Sequence, residues 1–197
     1  MGMAGLLDWV ISRNLKYRIM QGIRVNLVPG LVLWSLGACL VILYYMGEFS
    51  RPWFDEIISL KETYGFAYSA VSTCFFGGLI PYFFMQWTGR DALKGLWSGL
   101  IFLGYWALRG IDVDAFYRLQ AMIFGTGVDL ETIIFKVLVD QFIYCVIWAS
   151  PITALFYTWR EANFSIGQWK GDKTWSELFD MILIFTVTTW VVWIPGT

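Results

Sequence analysis

Histidine is absent from all 197 residues. Without an imidazole there is no Ser-His-Asp or Cys-His constellation, no histidine general base and no histidine metal ligand. Charge is scarce too: 15% of the residues are Asp, Glu, Lys or Arg, where a soluble domain carries about 25%. The net charge of -1 and the isoelectric point near 5.4 leave no basic footprint, so no nucleic-acid partner is expected. The three cysteines, Cys39, Cys74 and Cys145, fall in separate apolar runs. They lack the close spacing of a zinc site or a disulfide framework and read as small packing residues. There is no glycine-rich phosphate loop and no nucleophile beside a base, so neither an enzyme nor a cofactor or metal site is expected. Asp112, Asp114, Asp129 and Glu131 are spaced too irregularly for a cation site and read as ordinary solvated acids.

What the chain has is apolar surface. Residues of the apolar and aromatic set make up 58%, and the mean hydropathy is +0.60. This predicts an all-α, polytopic transmembrane helix bundle forming one domain, with about five spans, near 28–46, 64–87, 95–111, 134–157 and 178–194. Ahead of them, residues 1–25 interleave Arg13, Lys16, Arg18 and Arg24 with apolar residues at helical spacing. That pattern suits a basic helix lying on the membrane, and equally one packed on the rest of the protein. Residues 47–63 read as a polar connection, and 116–124 as an interfacial helix between acidic flanks.

Two spans carry small residues in rows. Ser69, Thr73 and Gly77 recur every four residues, with Ala70, Cys74 and Gly78 beside them, and Gly95 and Gly99 stand in GxxxG spacing. Such rows let helices approach closely where lipid removes the hydrophobic drive.

The stretch 134–157 is the one that carries polar chemistry. Lys136, Asp140, Gln141 and Tyr144 interrupt an otherwise apolar run. An ionised Asp in mid-membrane costs about 2.5 to 3.5 kcal/mol on an insertion scale, so it should face protein or water. The cluster reads either as the lining of a path or as side chains bonded to a neighbouring helix. Lys and Arg set the orientation. Nine fall in the N-terminal stretch and the 88–94 and 159–177 loops, against four in the other two connections. The N-terminus is therefore expected on the cytoplasmic or matrix side.

The run FYRLQAMIF followed by IIFKVLVDQFIY resembles the Mpv-seventeen and peroxisomal-membrane-protein family of small helical membrane proteins. In that family a glycine-rich span ends near an aromatic pair, and the next begins with Lys, three residues, then Asp-Gln. Here Phe116 and Tyr117 stand at the pair, and Lys136, Asp140 and Gln141 match the second motif. The chain departs from the pattern at Ile111, where Gly110 should precede Pro, and at Val146, where a Pro is usual. The resemblance runs from about Trp53 onward. It implies a bacterial-type member with an extra N-terminal span, favouring a bacterial inner membrane over an organelle membrane. The closing TWVVWIPGT looks like the start of the family's last landmark, which implies that the parent chain continues past Thr197.

The resemblance also implies a channel-like, small-solute permeation role. The alternative is a non-catalytic accessory or structural subunit of a larger membrane complex. The partners expected are the lipid bilayer and either further copies of the chain or other membrane subunits.

Overall fold

The computed structural model describes residues 3–89, 95–171 and 175–193. Among them there are helices and short connections, with no strand: α1 (Met3–Met46), α2 (Arg51–Tyr64), α3 (Phe66–Thr73), α4 (Ile80–Thr88), α5 (Leu96–Phe124), α6 (Leu130–Leu138), α7 (Ser150–Glu161), α8 (Ile166–Gly171) and α9 (Trp175–Trp193). Two π-helical stretches, Cys74–Leu79 and Val139–Ala149, join α3 to α4 and α6 to α7. The chain divides into two compact units, Met1–Ile42 with Ile134–Thr197, and Leu43–Ile133.

Both π stretches end just before a proline, and the cause is local. Pro81 and Pro151 have no N–H and crowd the carbonyl four residues back, so the α-helical ladder cannot run through them unchanged. Upstream the chain widens instead: Ile80 donates to the Phe75 carbonyl and Ser150 to the Cys145 carbonyl, each five residues back.

Among the described residues three helical runs are long and apolar enough to cross a membrane: Leu15–Met46, Phe66–Thr88 and Leu130–Glu161. This corrects the expectation of five. The run 95–111 is the first part of α5, which continues without a break into 116–124, so the latter is no separate interfacial helix. In α5 only 96–108 is free of charge before Arg109, Asp112 and Asp114, ~20 Å of helix and short of the ~30 Å of hydrocarbon. In α9 Glu177 and Asp180 precede the apolar residues 181–193. Ile194, the last residue of the fifth expected span, and Arg90 and Lys94 of the 88–94 loop lie outside the described residues. At the other end, α1 runs unbroken through the expected junction between a surface segment and a first span.

Burial is inverted relative to a soluble protein. Among the described residues the buried apolar side chains are Phe102, Cys145, Ala154 and Phe156, whereas nine polar ones are buried, among them Ser69, Asp114, Gln141, Thr158 and Thr186. Large apolar side chains line the outside of every candidate span. Polar and small groups inside with apolar groups outside is how helices pack in lipid, and the chain is that of an integral membrane protein.

In the unit Leu43–Ile133, α5 lies against α3 and the first π stretch. A Cβ on Gly77 would come within 2.7 Å of the Trp106 ring, and one on Gly78 within 3.2 Å of Leu103 and Trp106. On Gly99 it would reach the Tyr82 ring at 3.2 Å, and on Gly110 it would overlap the Ser69 carbonyl, with Thr73 Oγ1 at 2.7 Å. Glycine is what lets these backbones meet. Gly95 differs: a Cβ there meets nothing described within 4 Å, and its φ of +82° is what requires glycine. In the other unit α7 and α9 pack together, with Tyr157 and Phe185 rings 5.9 Å apart, and a Cβ on Gly22 of α1 would press on Thr188 at 2.6 Å.

Candidate functional site

Lys136 lies in the last turn of α6, and Asp140, Gln141 and Tyr144 in the π stretch that follows. Lys136, Asp140 and Tyr144 are half-buried, and Gln141 is 3% exposed. Gln141 Nε2 donates to Asp140 Oδ2 at 2.7 Å, and the Gln141 carbonyl accepts from Trp190 Nε1 of α9 at 2.9 Å. The rings of Phe142 and Trp190 stand 5.2 Å apart beside it. Lower in the stretch, Cys145 Sγ lies 3.4 Å from Ser150 Oγ.

The side-chain oxygen of Gln141 is left over. An ionised carboxylate only accepts, so the amide must turn its nitrogen to Asp140 and its oxygen away. That oxygen, Oε1, is buried and has no hydrogen-bond partner. Leaving such a group unsatisfied costs about 1 to 3 kcal/mol. It is therefore the atom in this cluster with an acceptor position still open.

A second polar cluster, in the other unit, went unread in the sequence. Asp114 of α5 is 7% exposed. It accepts from Ser69 Oγ of α3 at 2.7 Å and from Arg118 Nε at 3.1 Å, and Lys61 Nζ of α2 lies 4.0 Å away. The Arg118 guanidinium also sits over the Phe66 ring, 4.6 Å from its centre. Asp114 lies beyond the apolar stretch of α5, level with the first turn of the span 66–88. Burial pushes its carboxyl up, but the Ser69 hydroxyl, the Arg118 hydrogen bond and the Lys61 charge together outweigh that and hold it below the ordinary 3.8.

The reading of the four acids as solvated is therefore corrected in part. Asp114 is enclosed, Asp112 pairs with Arg109, and Asp129 Oδ1 accepts from the Thr132 N–H at 2.9 Å at the start of α6. Glu131 is exposed. No group of three acids, cysteines or histidines that would hold a metal occurs among the described residues. Phe116 and Tyr117 lie in α5 with their rings 5.9 Å apart; Phe116 is half-buried and Tyr117 exposed.

No family model matches the chain, and no curated protein or solved structure matches it either. The four residues 136, 140, 141 and 144 thus lie along one apolar helical run, while the small residues 69, 73, 77, 78 and 99 belong to the packing of the other unit. Asp114 had one signal in sequence, an Asp followed four residues later by Arg on a helix. Its contact with Ser69 crosses 45 residues and had none.

Proposed function

We propose that the protein is a channel-like membrane protein through which a small polar solute or cation passes beside Asp140 and Gln141. What supports the reading is the buried, unpartnered Oε1 of Gln141, held within a π-helical stretch of a run long enough to span. Intramembrane ionisable groups mark solute and proton paths by default, and π-helical turns recur at functional sites. In this reading Asp140 favours cations or acts as the proton-sensitive gate, Lys136 sits near the mouth, and Tyr144 adds polar lining. The likeness of Lys136, Asp140 and Gln141 to the Mpv-seventeen family motif points the same way and favours a bacterial inner membrane, while the Lys and Arg count puts the N-terminus on the cytoplasmic or matrix side.

The test is flux through proteoliposomes. Asp140→Asn keeps the shape and the hydrogen bond to Gln141 but removes the charge. Cation flux is expected to fall by about tenfold, the equivalent of about 1.4 kcal/mol, and to lose its pH dependence. A variant that folds and conducts like the parent would sink the proposal.

A second reading, a non-catalytic subunit of a larger membrane assembly, draws on the thin core: four apolar side chains are buried among the described residues. It predicts stoichiometric co-purification with other subunits and no conductance by the isolated chain.

A further inference from the structure

Residues 51–64, part of the expected polar connection, fold as α2, and no side chain of α2 is buried. Trp53, Ile57, Leu60 and Tyr64 fall at i, i+4, i+7 and i+11, one face of a helix. They are 69%, 47%, 38% and 60% exposed. Asp55, Ser59 and Glu62 occupy the opposite face. A third side turns to the protein, where Phe54 meets the Tyr44 ring at 5.4 Å and Lys61 reaches Asp114.

We propose that α2 lies flat along the membrane surface, with the stripe Trp53, Ile57, Leu60 and Tyr64 sunk into the boundary between lipid headgroups and acyl chains. The connections require this. α2 is separated from α1 by residues 47–50 and from α3 by Gly65 alone, and both neighbours belong to runs long and apolar enough to span. A helix of 14 residues is ~21 Å long and a single extended residue reaches ~3.5 Å. A helix rising from the surface could not return the chain to the bilayer through Gly65. The aromatic residues at the two ends of the stripe, Trp53 and Tyr64, are of the type that settles at headgroup level. Arg51 and Lys61 are outnumbered by Asp55, Glu56 and Glu62. Attachment is therefore by apolar burial, and its depth does not depend on salt or on anionic lipid.

Nitroxide labels report depth directly. In the full chain, with Cys39, Cys74 and Cys145 replaced by Ala, single cysteines are placed at 53, 57, 60 and 64 and at 55, 59 and 62, labelled, and reconstituted in phosphatidylcholine vesicles. The first set is expected to be relaxed by oxygen over a water-soluble nickel chelate, at similar depth for all four, and the second set the reverse; adding anionic lipid or salt leaves the depths unchanged. Nickel access at all seven positions means a solvated helix and overturns the proposal. Exclusion of both relaxers from the stripe means a protein partner or a second copy covers it, and overturns it equally. A parallel measurement keeps the native cysteines: emission lost in Trp53→Phe relative to the parent is expected to be the part quenched by lipids brominated near the headgroup. An unquenched difference rejects the placement.

Discussion

The spans Phe66–Thr88 and Leu130–Glu161 use the same backbone device for different ends. Each contains a π-helical stretch closed by a proline, at Pro81 and Pro151. In the first, the widened turn presents Gly77 and Gly78 to Trp106, and the nearby acid, Asp114, comes from another helix and has its hydrogen bonds and charges met by Ser69, Arg118 and Lys61. In the second, the acid stands in the widened turn itself, its amide neighbour turned to it and one oxygen left over. A π turn in a membrane helix is thus compatible with closed packing. What separates the candidate site from the packing seam is where the unmatched atom sits: in the seam it is the Trp106 indole N–H, away from the satisfied Asp114, and in the second span it is the amide oxygen of the residue bonded to the acid itself.

The comparison can be broken most sharply at the seam. Gly110→Ala drives a methyl into the Ser69 carbonyl, which is backbone and cannot swing aside. Overpacking of this kind costs about 1 to 3 kcal/mol or somewhat more, and the loss should appear in an unfolding titration in mixed micelles. Gly104→Ala, in the same helix with nothing within 4 Å, should be neutral or slightly stabilising, since alanine favours helix by about 1 kcal/mol over glycine. Equal effects at the two positions would remove the case for a close seam.

Next in size is the Asp114 cluster. Ser69→Ala withdraws the buried hydroxyl from a carboxylate, and a hydrogen bond to a charged group is worth about 1.5 to 3 kcal/mol. The ionic part is smaller, because the Lys61 and Arg118 side chains are about half exposed and solvent screens them. The pH dependence has a definite sign. A carboxyl held below 3.8 when folded binds fewer protons in the native state, so its contribution is present above about pH 4 and is lost as the pH falls through the folded value. In Ser69→Ala that acid-side loss should be smaller than in the parent.

The smallest change is expected at Gln141. Gln141→Leu deletes the unpartnered oxygen, a gain of about 1 to 3 kcal/mol, and also the donor to Asp140, a loss of similar size. Stability should therefore stay within ~1 kcal/mol of the parent while flux falls. If Gln141→Leu destabilises as much as Ser69→Ala, the amide is structural and the contrast between the two spans disappears.

Much of this was open to reading in the residues themselves. The rows Ser69, Thr73, Gly77 and Ala70, Cys74, Gly78 announce a close helix neighbour, and Lys136, Asp140 and Gln141 stand out because lipid does not tolerate them. Three things were hidden. The number of spans is hard to read because an apolar run such as 95–111 looks sufficient until Arg109 and the acids that follow it are set against bilayer thickness. α2 was passed over because its five charges mask the stripe at 53, 57, 60 and 64. The enclosure of Asp114 depends on Ser69 and Lys61, brought to it from other helices by tertiary packing that no local pattern encodes.

Gly65 turns the corner from α2 into α3 with φ +50° and ψ −121°, a shape few other residues adopt without strain. Lys61, one turn before the corner, and Ser69, one turn after it, both reach the same carboxylate. The carboxylate thereby ties the two arms at the corner, closely through the Ser69 hydroxyl and loosely through the half-exposed Lys61, so the arm that carries Ser69 is the one held to α5.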